Sequence, residues 1–169
     1  MTTENKLISA TRINRLKAQG YFQYSDEEVS SFAFGNRFAL ALCAAFIFIG
    51  VATINFPILL AMTLVAIGGF ILPYHPFDYI YNHLLRGVLN KPELPRRSKQ
   101  LKFACKRATM WLIVTISLFY MGFEIAGYVF GGMLFSAAFL VSTTDFCIPS
   151  TIYNYKVRKL KEKAKNAEI

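Results

Sequence analysis

Eight side chains that could form a chemical site lie next to the ends of the long apolar segments of this sequence. Polar and ionisable groups beside a membrane are costly, so they tend to be paired or to take part in function. We therefore predict that these groups form a polar cluster where the segment ends meet. Its predicted members are Arg37, His75, Asp78, Asn82, Cys105, Asp145, Cys147 and Tyr153.

Several members of this predicted cluster also have a structural interpretation. Arg37 and Asp145 carry opposite charges, which favours a structural ion pair over action on a substrate. Asp78 falls in the first turn of a predicted helix, where a carboxylate suits the helix dipole. His75 and His83 lie more than two helical turns apart and so do not bind one metal ion from a straight helix. We predict no metal site and no cofactor.

Cysteine is sparse, and Cys43, Cys105 and Cys147 have none of the spacings of a zinc site or a disulfide framework. Cys147 is the strongest candidate for thiol chemistry because it sits at the end of an apolar segment, where solvent reaches a thiol. The nearby carboxylate of Asp145 would raise the pKa of that thiol and oppose its reactivity. Packing as a small side chain is favoured for all three.

Composition indicates a membrane protein, because 54% of the residues are apolar and only 17% are charged. Apolar runs at residues 38–54, 56–72, 108–123 and 128–148 approach the roughly 20 residues that cross a bilayer. Pro149 is expected to stop the last run. We predict an all-α integral membrane protein with four transmembrane helices arranged as two hairpins.

Polar segments flank and separate the predicted hairpins. Residues 76–89 place apolar side chains on one helix face, which predicts an amphipathic helix lying along the cytoplasmic interface. Residues 1–36 form an N-terminal segment, residues 37–155 the membrane domain and residues 156–169 a basic tail. In the first segment, Ser25 and Glu28 have the spacing of a capping box. A weak stripe there, which predicts a helix at the membrane surface, consists of Leu7, Ile8, Ile13 and Leu16.

The basic residues decide the predicted orientation. Of nineteen Lys and Arg residues, five occur up to Arg37, eight between Arg86 and Arg107, and six from Lys156 onward. The two short turns within the hairpins hold none, so the positive-inside bias puts both termini and the central segment in the cytoplasm. The basic tail is expected to contact anionic lipid headgroups. Since no nucleic-acid-binding motif accompanies the bases, we predict no nucleic-acid partner.

Small residues in the fourth predicted span favour close packing of helices. Gly127 and Gly131 have Gly-x-x-x-Gly spacing, and Gly132 and Ser136 repeat the small-x-x-x-small pattern. In lipid such residues let helix backbones approach closely. The pattern predicts contacts within the chain, with a second copy, or with another membrane protein.

The segment Asp145-Phe146-Cys147-Ile148-Pro149-Ser150 resembles the end of the fourth span in a bacterial family of four-helix inner-membrane proteins of unknown function. Asn36-Arg37, the segment at residues 77–82, Pro95-Arg96 and Lys102-Phe103-Ala104 support the resemblance over about residues 35–155. It implies the fold and a bacterial inner-membrane location, with no established activity. Family members often carry Phe-Cys-x-x-Cys, whereas Ser150 replaces the second cysteine here. A disulfide within the motif is therefore excluded, and a redox role requires Cys105 as the partner of Cys147.

Three functions fit these observations, and a non-catalytic scaffold or accessory subunit ranks first because it needs nothing further. A thiol-dependent protein, in redox or sulfur handling through Cys147 at the cytoplasmic interface, ranks second. A small transporter or channel subunit ranks third, since no charged residue lies deep in any predicted span. Hydrolase, kinase and dinucleotide motifs are absent, so the sequence does not predict an enzyme.

Overall fold

The computed structural model of the protein describes residues 8–167, and over this range the chain forms helices and connecting turns with no β-strand. The expectations for Leu7 and for residues 168–169 of the tail lie outside the described residues. The helices are α1 (Ala10–Leu16), α2 (Asp26–Ala52), α3 (Phe56–Ile71), α4 (Pro76–Ile80), α5 (Arg86–Leu89), α6 (Lys99–Tyr120), α7 (Glu124–Thr144) and α8 (Ile148–Ala167). The segment Lys17–Tyr21, which kinks at Gly20, follows α1, and a single π-helical turn, Tyr81–Leu85, follows α4. The predicted all-helical fold is confirmed.

The four apolar helices α2, α3, α6 and α7 pack in a ring. Helix α2 contacts α3 and α7, and α6 also contacts α3 and α7. Helices α2 and α6 begin, and α3 and α7 end, at one end of this ring, which we call the polar end. The turns at residues 53–55 and 121–123 close the other end, which we call the turn end.

Three of the described helices, α2, α6 and α7, are long and apolar enough to cross a membrane. Helix α3 has 16 residues and reaches this standard only together with Pro76–Leu89, from which it is bent by 83°. The described chain thus has three candidate spans, or four if the bent pair counts as one, which indicates a membrane protein.

Local signals that the sequence displays fix several helix starts. The Ser25 hydroxyl accepts the Glu28 N–H, and the Glu28 carboxylate accepts the Ser25 N–H, so the predicted capping box is confirmed. The Asn55 side chain caps α3 by accepting the Ile58 N–H, with Pro57 in the first turn. Proline fits that position because the first helical N–H groups have no partner within the helix.

The predicted end of the fourth span is wrong. Helix α7 stops at Thr144, four residues before the predicted limit, and Asp145 ends it in a left-handed conformation with φ of 60°. Pro149 does not stop that helix. It lies in the first turn of α8, which carries the basic tail. The second predicted span ends one residue late, since α3 is Phe56–Ile71. The first and third predicted spans overlap helices that start earlier, since α2 begins at Asp26 and α6 at Lys99.

Residues 8–24, which we call the N-terminal arm, pack inside the protein. The expected surface helix is present as α1, but its apolar side chains Ile13 and Leu16 are buried in a core with Val29, Phe32 and Leu101. An apolar stripe indicates only that one face of the helix packs against an apolar surface. For α1 that surface is the interior of the protein and not the lipid.

Two apolar cores follow each other along the ring. The core at the polar end contains Val29 and Phe32 of α2 and Leu101 of α6. The core toward the turn end starts at Ile47 of α2 and Leu112 of α6. Between them on the two helices lie Asn36, Arg37, Cys43 and Cys105. Polar and sulfur-bearing side chains thus lie between the two cores along α2 and α6, with Cys43 packed against the second core.

Candidate functional site

Asp145 joins three parts of the chain at the polar end. Its carboxylate is fully buried and accepts hydrogen bonds from Arg12 Nε at 2.7 Å and from two Arg37 nitrogens, each at 2.8 Å. The Arg37–Asp145 ion pair inferred from the sequence is present. Arg12, which the sequence did not single out, adds a second cation from the N-terminal arm.

Asp78 forms a second buried ion pair, with Arg97. Both side chains are 2% exposed, and two parallel hydrogen bonds of 2.5 and 2.6 Å join them. Asp78 also accepts the His75 N–H, as a helix cap would. Burial alone would lower the pKa of Arg97, but the charge of Asp78 and the hydrogen bonds to it outweigh burial and raise this pKa. Arg97 was missed in the sequence because it lies in a run of bases.

His75 presents an N–H group to a cysteine. Its Nδ1 accepts the Phe77 N–H at 3.3 Å, and its Nε2 lies 3.8 Å from Cys43 Sγ. Burial and then the charge of Arg97 lower the pKa of His75 to about 3, so the imidazole is neutral near pH 7. A neutral ring whose Nδ1 is an acceptor carries its proton on Nε2. This N–H lies within hydrogen-bond reach of the Cys43 sulfur.

Cys105 lies beside the same histidine. A Cβ added at Gly69 of α3 would be 2.6 Å from His75 Cδ2 and 2.8 Å from Cys105 Sγ. Only glycine at residue 69 therefore leaves room for both groups. Cys105 also lies within electrostatic range of Cys43 and Cys147. We call Cys43, His75, Cys105 and Cys147 the thiol cluster.

Cys147 is less accessible than its sequence position suggested. It is 7% exposed, in the link between α7 and α8, and its sulfur accepts a hydrogen bond from the Ser150 hydroxyl at 3.0 Å. Burial raises the pKa of the Cys147 thiol, against the opposing effects of Ser150 and of the Arg97 charge. Reaction at this thiol therefore requires an opening that admits the reagent.

The structure divides the predicted eight-member cluster. His75, Asp78, Cys105 and Cys147 are neighbours, and Arg37 with Asp145 forms the separate ion pair at the polar end. Asn82 instead accepts the Leu94 N–H and fixes the loop before α6. Tyr153 packs against the ring of Phe103. Cys43 also belongs to the site, although the sequence analysis predicted a packing role for it. Within an apolar run, the sequence does not distinguish a functional thiol from a cysteine that only packs.

The four predicted packing residues of α7 lie on two different faces of the helix, one inside the ring and one outside it. A Cβ at Gly127 would meet the Phe119 ring at 2.6 Å, and one at Gly131 would meet Val51 methyl groups at 2.6 and 2.7 Å. These two glycines thus permit contacts within the ring. A Cβ at Gly132 would meet nothing within 4 Å, and Ser136 is exposed.

Across residues 8–167, no group of three or more His, Cys, Asp or Glu side chains has the geometry to hold a metal ion.

Residues 34–158 match the protein family described as Domain of unknown function (DUF4395). The chain belongs to this family. No curated protein and no solved structure matches the chain. The DUF4395 region begins within α2 and extends into α8, so it contains the whole thiol cluster and both aspartates of the buried ion pairs. The N-terminal arm precedes the DUF4395 region.

Proposed function

We propose that this protein crosses a bacterial inner membrane four times and works by thiol chemistry at the thiol cluster. The spans are α2, α3, α6 and α7, with α4 and α5 along the cytoplasmic interface and both termini in the cytoplasm. The absence of Lys and Arg from the turns at residues 53–55 and 121–123 supports this orientation. The 83° bend after α3 is what a helix leaving the membrane to lie on its surface requires.

One observation carries the thiol function: Cys43 and Cys105 both lie against the neutral His75, and Cys147 lies within electrostatic range of Cys105. The three cysteines come from α2, α6 and the link between α7 and α8, which are distant in sequence. A scaffold needs small packing side chains at these positions, but it needs neither sulfur nor an imidazole N–H directed at a sulfur. We therefore rank the thiol function above the scaffold that sequence alone favoured.

The proposed reaction is thiol–disulfide exchange. The Cys105 thiol and one of its neighbours, Cys43 or Cys147, form a disulfide bond. A disulfide of a partner protein or small molecule accepts the two electrons and two protons and leaves as two thiols. Ser150 excludes a disulfide within the Cys147 motif, so the second sulfur comes from elsewhere in the thiol cluster. The charge of Arg97 partly offsets the cost of burying a thiolate at Cys147.

Mass tagging of thiols tests this proposal. The protein in mild detergent is equilibrated with oxidised glutathione, denatured, and labelled with a maleimide mass tag. We expect the wild-type protein to lose two of its three labelling sites, and Cys105→Ser to keep both of its remaining thiols. Comparison of Cys43→Ser with Cys147→Ser identifies the second sulfur, because only the variant lacking it resists oxidation. Three free thiols in the oxidised wild-type protein would contradict the proposal.

The outward face of α7 favours an accessory subunit as the second candidate. Gly132 and Ser136 leave this face open to a close-packing helix of a second copy or of another membrane protein. Gly132→Leu is expected to abolish co-purification of that partner in mild detergent. A wild-type protein that is strictly monomeric and free of partners by native mass spectrometry would contradict this candidate. We also propose that the bases of α8 contact anionic lipid headgroups.

A further inference from the structure

The N-terminal arm is buried against a family region that begins after it. It precedes the DUF4395 region at residues 34–158, yet Leu16 and Gln19 are fully buried and Tyr21 is 2% exposed. Its burial partners Tyr81, Leu94 and Leu101 belong to that region, and its other partners Val29 and Phe32 lie in the first turns of α2. The arm therefore behaves as an added segment that covers the polar end of the ring.

Gln19 holds the arm through polar contacts with three elements. Its Nε2 donates to the Asp145 carbonyl at 2.7 Å, and its Oε1 accepts from Asn36 Nδ2 at 3.2 Å. The Gln19 carbonyl accepts from the Ser98 hydroxyl, and the Ala18 carbonyl accepts from Asn154 Nδ2. Water can replace such hydrogen bonds when the arm leaves, so their net contribution to holding it is modest.

The tip of the arm lies beside the thiol cluster. Tyr21 lies within electrostatic range of Arg97, Asp78 and Cys105. Gly20 adopts a positive φ of 103° and packs directly on Ser98, the residue after Arg97. Asp145, to which the arm is bound, precedes Cys147 by two residues. Departure of the arm would uncover this side of the cluster.

We propose that the N-terminal arm is a lid that controls access from the polar end to Cys105 and Cys147. The lid is closed in this structure, and it opens by release of Gln19 and Gly20 while the ring of four helices stays folded. This inference rests on the proposed thiol function, because it concerns the regulation of the same site.

Alanine at residue 20 is expected to open the lid. A Cβ there would lie 2.4 Å from Ser98 Cβ, on a backbone conformation that side chains disfavour. Gln19→Ala tests the same release without a new side-chain clash. Gly87→Ala is the matched control, because a Cβ at Gly87 meets nothing within 4 Å. The readout is the rate at which N-ethylmaleimide modifies Cys105 and Cys147 in the folded protein, measured by peptide mass spectrometry.

We expect Gly20→Ala and Gln19→Ala to raise these rates about tenfold or more, with Gly87→Ala unchanged. Trypsin cleavage after Lys17 reports arm release independently, and an unchanged melting temperature of the ring shows that it remains folded. Faster cleavage at Lys17 with unchanged labelling of Cys105 and Cys147 would contradict the proposal that the arm is a lid. Labelling that rises only because the ring has melted would overturn it as well. Disulfide formation in the wild-type protein tests the proposed function separately, since it does not depend on the effect of either arm variant.

Discussion

Tyr81 is the one described side chain with a fully buried polar atom that lacks a hydrogen-bond partner among residues 8–167. Its ring fills the space beside Gly35, where an added Cβ would lie 2.6 Å from Tyr81 Cζ. A buried hydroxyl without a partner costs about 1–3 kcal/mol. Packing of the aromatic ring therefore stabilises Tyr81 in this position, and its hydroxyl group does not contribute.

Replacing Tyr81 by phenylalanine should leave the protein as stable as wild type or stabilise it by up to about 2 kcal/mol, because the desolvation cost of the hydroxyl disappears. Tyr81→Ala should destabilise it by about 3–5 kcal/mol through loss of the ring. Unfolding in mixed dodecylmaltoside–SDS micelles measures both changes. A large loss of stability in Tyr81→Phe would mean that the hydroxyl has a partner.

His75 should make the protein sensitive to acid. Its pKa is about 3 in the folded protein, below the ordinary value of 6.5. Between these pH values the unfolded chain binds a proton that the folded protein does not. Stability is therefore fully present above about pH 6.5 and falls as the pH drops toward 3, by about 1.4 kcal/mol per pH unit.

His75→Asn should flatten this dependence, because asparagine does not titrate but still caps a helix. The free energy of unfolding at pH 7 and pH 5 measures the slope for each protein. An equally steep slope in the variant would show that another group is responsible. His83 is present in both proteins and cancels in the comparison.

Single residues were predictable only where a local rule applied. The capping box at Ser25 follows from the spacing of two side chains in one turn. Arg97, Gln19 and Cys43 gave no such signal, because their partners lie in other helices. Gln19 in particular sits in a basic stretch that resembles a solvated surface. Its burial becomes visible only when α2, α6 and the α7–α8 link converge.

At the scale of elements, four apolar runs predicted the four helices of the ring but not all of their ends. The prediction at α7 was wrong because proline is common both just after the end of a helix and in the first turn of the next one. The sequence around Pro149 fits either position equally well. The real end depends on Asp145, whose left-handed conformation is stabilised by Arg12 and Arg37 from distant segments.

Neighbouring glycines in α7 should respond in opposite ways to the same substitution. Gly131→Ala should destabilise the protein by about 1–3 kcal/mol, because its methyl group overlaps the stiff Val51 side chain. Gly132→Ala should be neutral or stabilise it by up to about 1 kcal/mol, through better helix propensity in open space. Unfolding of the isolated protein in micelles compares them. Equal effects would contradict the packing of α7 against α2.

At the scale of the whole molecule, the proposed orientation predicts where proteases act. Trypsin added to intact cells should leave the chain uncut, since the turns at residues 53–55 and 121–123 contain no Lys or Arg. Trypsin added to inside-out vesicles should remove the exposed basic end of α8, which contains Lys156 and Lys163. Cleavage of that end in intact cells would contradict the proposed topology. Vesicles permeabilised with detergent provide the control for cleavage at both faces.

The short length of α3 has a consequence for the surrounding lipid. At 1.5 Å per residue its 16 residues extend about 24 Å, less than the hydrocarbon thickness of about 30 Å. In the proposed four-span topology, a bilayer that matches α2 and α7 becomes thinner beside α3, with headgroups and water drawn inward at that corner. Gly69 lies near the polar end of α3, so the corner of the molecule next to His75 and Cys105 would be the place where the aqueous phase comes nearest to the centre of the membrane.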